Sequence, residues 1–235
     1  MSVSFNNKPD PNQVLGLFHE FSELPKVDLH RHLEGSLRLN TIIELAGKLD
    51  VERTLPANLL SLRGLVQIQR DDNLTFENFL AKFNTLRLFY RSPEVIERIT
   101  CEAIEDAARD NIQHLELRFT PVALSQAERF PLNDVMDWVC ESAIKSALQN
   151  NITVRLIASV NRHESIALAE QVVWLSIDRL EKGIAAIDLA GNEAHFPAVP
   201  FLALFNEARQ SGLKTTIHAA EWGPAGNVRE AIETF

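Results

Sequence analysis

The chain has 235 residues, 46 % of them hydrophobic and 23 % charged, with a formal net charge of −9, a composition with enough apolar side chain for a sizeable core and unlike that of a disordered chain. The Lys and Arg residues are scattered, so no basic stripe exists to neutralise a phosphate backbone, and nucleic acid is excluded as the expected partner. The two cysteines, Cys101 and Cys140, lack a CxxC spacing, which argues against a disulfide framework or a cysteine-held metal and for a reducing compartment.

Residues 1–21 read as a leader: Met1 to Asn12 is polar with two prolines, and a short amphipathic stretch follows to Phe21. It has neither the basic start nor the apolar run of a secretory signal, and no stretch approaches the ~20 apolar residues that cross a bilayer, so a cytoplasmic protein is expected. Residues 22–235 read as one domain. The segment Leu24 to Glu34 alternates apolar and ionisable residues, as a strand entering a polar site does. A long crossover follows, with Phe76, Phe79, Leu80, Phe83 and Leu86, then Val95, Ile99, Ala103 and Ile104, at helical spacing. Ser92 is placed to cap a helix whose first turn holds Pro93, and Pro131 opens the next helical pattern. Further strands are expected at His114–Phe119, Val154–Ser159, Ile184–Leu189 and Thr215–His218, separated by helices at about 131–150, 164–182 and 200–212. Such alternation specifies parallel strands with right-handed crossovers, in a barrel or in a doubly wound open sheet; periodicity does not choose between them.

Chemistry concentrates at three strand ends. In Asp28-Leu29-His30-Arg31-His32-Leu33-Glu34-Gly35, residues two apart share a face, so His30 and His32 can grip one ion, or be two solvated histidines. His218 ends the fifth strand candidate with Glu221 three residues on, a third ligand and a nearby acid or base; a solvated loop carboxylate is the alternative for Glu221. The segment Ile187-Asp188-Leu189-Ala190-Gly191-Asn192-Glu193 ends the fourth, with Gly191 where a backbone can approach a ligand or simply turn.

Taken together, these segments resemble the adenosine deaminase family. The match runs in order from about residue 22 to the end: Leu24 to Ser36, Phe79-Leu80-Ala81-Lys82-Phe83, Leu115-Glu116-Leu117-Arg118-Phe119-Thr120-Pro121, Asp188 to Glu193, and His218-Ala219-Ala220-Glu221. The resemblance implies a (β/α)8 TIM-type barrel with about the first five βα units in this chain. It implies zinc, one per site, held by His30, His32 and His218, and hydrolytic deamination of adenosine or 2′-deoxyadenosine to the 6-oxo nucleoside plus ammonia, with a small purine nucleoside as the partner. Glu221 would protonate the purine at N1, and is expected to be desolvated in a closed pocket so that it keeps its proton. Gly191 would donate its N–H to the purine, Glu34 would face the sugar, and Phe76 and Phe79 would form an apolar lid, although a Phe stripe on a helix is also plain core. The other zinc deaminase design, with its P-C-x-x-C signature, is excluded by the cysteines.

Three departures from the family stand out. A catalytic His on a sixth strand and a metal-ligand Asp on an eighth are expected beyond Phe235, so the chain reads as a fragment; taken alone, it is expected to hold zinc weakly and turn over little. An inactive, truncated paralogue acting as a binding protein is the alternative of a different class. Glu34 stands where adenosine-specific members usually carry Asp, which admits adenine or aminodeoxyfutalosine as substrate, and Ala220 replaces a usual glycine.

Overall fold

The computed structural model describes residues 20–48 and 59–235. Five parallel strands, β1 (Lys26–His32), β2 (Ile112–Phe119), β3 (Thr153–Asn161), β4 (Ile184–Ala190) and β5 (Lys214–Ile217), form one sheet in the order β1-β2-β3-β4-β5. Each new strand is added on the same side of the last. A doubly wound sheet reverses direction at a switch point; here there is none, and the sheet is the wall of an α/β half-barrel.

The helices between the strands are α1 (Leu39–Lys48), α2 (Leu59–Val66), α3 (Phe76–Leu86), α4 (Pro93–Arg109), α5 (Pro121–Ser125), α6 (Leu132–Asn150), α7 (Ile166–Ile177), α8 (Leu202–Gln210) and α9 (Gly226–Thr234). Local chemistry sets their ends. Ser92 Oγ accepts the Val95 N–H at 3.3 Å with Pro93 in the first turn, and Thr75 caps α3 in the same way through Asn78. Helix α6 stops at Asn151, which takes the left-handed conformation that asparagine tolerates. Between sheet and helices lies an apolar core whose largest fully buried side chains include Phe89, Tyr90, Phe119 and Phe205. Strand β3 is buried from Leu156 to Asn161, as a strand covered on both faces must be. No helix among the described residues is long and apolar enough to cross a membrane.

Expected and observed elements agree to within a few residues, with three differences of consequence. The first strand ends at His32; Leu33–Gly35 is a 3-10 turn, so Glu34 leaves the strand alternation and points inward. The helix expected over 164–182 breaks after Ile177, and a 3-10 turn at Leu180–Lys182 closes on Gly183 at φ 96°. Strand β5 ends one residue before His218, whose N–H still donates to the Leu189 carbonyl at 2.9 Å. Apart from Glu20 and Phe21, the leader at 1–21 lies outside the described residues.

Candidate active site

The first and last strands of the sheet bring three imidazoles together. The Nε2 atoms of His30, His32 and His218 lie 3.2 Å (His30 to His32), 3.1 Å (His30 to His218) and 3.2 Å (His32 to His218) apart, and the three are the group of described residues whose donor atoms could share one ion. The edge of a tetrahedron around zinc with Zn–N of ~2.0–2.1 Å is ~3.3–3.4 Å, so the spacing fits a zinc ion with its fourth position open. Strand β1 reaches this arrangement through a bulge: Asp28 pairs with Leu115 and Arg31 with Leu117, three steps on one strand against two on the other. Asp28 stabilises the bulge by accepting the His30 N–H at 3.0 Å and Arg31 Nε at 2.8 Å.

His218 is oriented by a buried network. Its Nδ1 lies 3.1 Å from the Asp188 carboxylate, which also accepts from Thr216 Oγ1 at 2.8 Å and Ser159 Oγ at 3.1 Å and pairs with Arg118 at 3.3 Å. With Nδ1 donating to Asp188, the His218 Nε2 lone pair turns towards the other two rings. Burial alone would push the Asp188 carboxyl up, but His218, Arg118 and Thr216 outweigh it and hold the group below the usual carboxylate range. Burial, then the neighbouring His218, pushes His32 down to about 3, and burial followed by Arg118 lowers His30. Burial also works against charge on His218, yet Asp188 raises it. Burial thus works against protonation of His30 and His32, which leaves their ring lone pairs available to a metal.

A cavity of about 280 Å³ opens beside the cluster, near the lower end of the range for small-molecule sites. All eight residues singled out in the sequence, His30, His32, Glu34, Phe76, Phe79, Gly191, His218 and Glu221, line it. Gly191 has φ 91°, a conformation that favours glycine, and a Cβ there would also make tight contacts of 3.2 Å to the His163 ring and 3.3 Å to the Arg162 backbone nitrogen. Glu34 is buried; one oxygen accepts the Thr120 N–H, and the other has no hydrogen-bond partner. Burial raises its carboxyl against the opposing Thr120 N–H. The expectation of a desolvated Glu221 is corrected: its side chain is exposed, and the described residues do not close over that side of the cavity.

Several residues at the site carried no assigned role in the sequence. Asp188 had a signal, being the charged residue of an otherwise apolar strand, whereas Arg118 shares its strand with Gln113, His114 and Glu116 and does not stand out. Trp222 had none, yet its ring sits 5.2 Å from Phe76 and 6.0 Å from Phe79 and completes the aromatic wall. Ala220 adopts φ 58°, the left-handed conformation for which its methyl group is a handicap, so the departure from glycine acts on the backbone.

The family model described as adenosine deaminase matches residues 25–235. The chain belongs to the adenosine deaminase family. An adenosine deaminase of Clostridium perfringens is 36% identical over 210 residues, 89% of this chain and 62% of the relative, so the chain spans somewhat less than two thirds of that curated relative's length. Among solved structures, an Arabidopsis N6-mAMP deaminase superposes with a TM-score of 0.79 at 25% identity, covering 92% of this chain and 65% of that one. An amidohydrolase from Burkholderia ambifaria, solved with bound Zn, gives a TM-score of 0.79 at 25% identity over 97% of this chain and 60% of its own.

Proposed function

We propose that this chain forms the metal-binding and purine-binding part of a zinc-dependent hydrolase that converts adenosine or 2′-deoxyadenosine to inosine or 2′-deoxyinosine and ammonia. The observation that carries this reading is the convergence of three imidazole Nε2 atoms at the edge of a cavity walled by aromatic rings. His30, His32 and His218 would hold the zinc ion, which would supply Lewis acidity and lower the pKa of water from 15.7 towards ~7.

The chain's own residues supply the rest. Glu221, exposed in the open cavity, is desolvated once a purine covers it and then delivers a proton to N1, so that negative charge does not accumulate in the ring as C6 is attacked. Water contributes the new C6 oxygen, and the amino group leaves as ammonia. The Gly191 N–H binds the purine edge, while Phe76, Phe79 and Trp222 cover its faces and exclude solvent. Asp188 keeps His218 in the tautomer that faces the metal.

On this reading a sugar hydroxyl is the partner of two unpaired atoms of the cavity lining. Glu34 Oε2 and Arg87 Nε are both buried without a hydrogen-bond partner, and both residues line the cavity. A hydroxyl donates to the first and accepts from the second; free adenine carries no such group and leaves both orphaned. A second reading, deamination of adenine or aminodeoxyfutalosine, rests on Glu34 itself, whose length leaves less room for a sugar than an aspartate does.

Purified 235-residue chain and the longest reading frame containing it are to be loaded with zinc, and metal content followed together with adenosine absorbance. The long form is expected to bind one zinc per chain and deaminate adenosine, and the 235-residue chain to bind zinc weakly with little turnover. A long form that holds zinc and ignores adenosine but turns over adenine or aminodeoxyfutalosine moves the assignment to the second reading. One that holds no zinc contradicts both.

A further inference from the structure

We infer that Glu193 is a positioning residue for the reaction proposed above: its carboxylate holds the 219–223 loop and thereby sets Glu221 and Trp222 against the purine cavity. Beyond the His218 N–H, this stretch has left the sheet, and amides there need other acceptors. Glu193, in the turn after β4, provides them. Its Oε1 accepts the Trp222 N–H at 2.7 Å and the Gly223 N–H at 3.1 Å, and its Oε2 accepts the Ala220 N–H at 2.8 Å and the Asn227 side-chain amide at 2.9 Å. Four donors occupy the four acceptor sites of one buried carboxylate. The loop amides make an anion-binding concavity whose occupant belongs to the protein itself.

The held amides flank Glu221 on both sides, so the backbone that carries the proposed acid is fixed although its side chain is exposed. The same clamp carries Trp222 onto Phe76 and Phe79. Two further observations agree. A Cβ on Gly223 would fall 2.4 Å from Asn227 Nδ2 and 3.1 Å from Glu193 Oε2, so a side chain at 223 would push the Asn227 amide off the carboxylate and crowd the carboxylate itself. Ala220 is held at φ 58°, a conformation that an L-residue leaves unless its surroundings retain it. Burial works against charge on Glu193, but the Asn227 amide and the loop N–H groups outweigh it and hold the carboxyl below its ordinary value. From the other side, Arg162 donates to the His218 carbonyl. Gly191 leads into the turn that carries Glu193, so the purine-facing end of β4 and the acid-bearing loop after β5 are tied together.

The inference rests on the deaminase reading for its catalytic half and on geometry alone for the clamp, and Glu193→Gln tests the two separately. In the variant an NH2 group faces backbone donors. Hydrogen exchange of the 235-residue chain is expected to show the Ala220, Trp222 and Gly223 amides released about tenfold or more while those of β2 to β4 stay protected. In the longest reading frame, kcat is expected to fall about tenfold or more with KM within about threefold and zinc content unchanged. Gly223→Ala, which displaces the Asn227 amide from the carboxylate and crowds the clamp without removing it, is expected to act in the same direction and serves if Glu193→Gln does not fold. Unchanged loop exchange overturns the clamp, and released amides with an undiminished kcat overturn the positioning role. A wild type that deaminates no purine overturns the functional reading and the positioning role with it, while exchange still decides whether Glu193 holds the loop.

Discussion

The two strands that supply the histidines treat them differently. His218, after β5, is anchored: its Nδ1 meets a fully buried Asp188, which is itself bound by Thr216, Ser159 and Arg118, and its carbonyl is held by Arg162. On β1, His30 and His32 show no protein hydrogen bond at Nδ1 among the described residues, and their approach depends on a bulge that Asp28 stabilises from the edge of the sheet. The contrast teaches that, for the zinc site proposed above, the β4–β5 side would set the position of an ion and the β1 pair would turn to meet it. Pre-organisation at one ligand and freedom at two is consistent with neutral imidazoles on β1, which keep their lone pairs for a metal.

Removing the anchored ligand breaks this comparison most severely. His218→Ala is expected to abolish stoichiometric zinc binding, measured by equilibrium dialysis with metal analysis, because two imidazoles on one strand do not close a site. Asp188→Asn comes next. It leaves all three ligands in place but frees the His218 ring and strips Arg118 of its buried partner, so zinc affinity is expected to fall ~10–100-fold and denaturant-measured stability by about 3 kcal/mol. Asp28→Ala tests the β1 side. Loss of its two hydrogen bonds is expected to cost about 1 kcal/mol of stability, with a smaller drop in zinc affinity than Asp188→Asn produces; an equal drop would mean that both sides set the ion. Ala220→Gly is the mildest change, expected to raise stability by about 1 kcal/mol in thermal unfolding through relief of the left-handed conformation.

What was legible in the sequence follows from the range of the interactions involved. The His30–His32 pair, the Ser92–Pro93 helix start and the alternation of strands and helices are local patterns, and each appears in the structure within a few residues of its expected place. The choice of a barrel wall over a doubly wound sheet needed strand order, which no local pattern carries. Asp188 and Arg118 meet across β3, between strands about seventy residues apart in the chain, so their pairing depends on registers that the sequence does not print. Period-two alternation runs through Glu34 and predicts a strand there; a 3-10 turn begins at Leu33 and carries the side chain into the interior instead. The Glu193 clamp was invisible for another reason: its partners are mainly backbone amides, which have no residue signature.

The central claim is that three imidazoles from two strands hold one zinc ion at the edge of the purine cavity. Zinc K-edge X-ray absorption on the zinc-loaded long form tests it most directly, with the His30→Ala, His32→Ala and His218→Ala variants as references. The account predicts three imidazole nitrogens at ~2.0–2.1 Å in the wild type and the loss of one imidazole, or of the metal, in each variant. A first shell with fewer than three imidazoles, or with sulfur from Cys101 or Cys140, would contradict it.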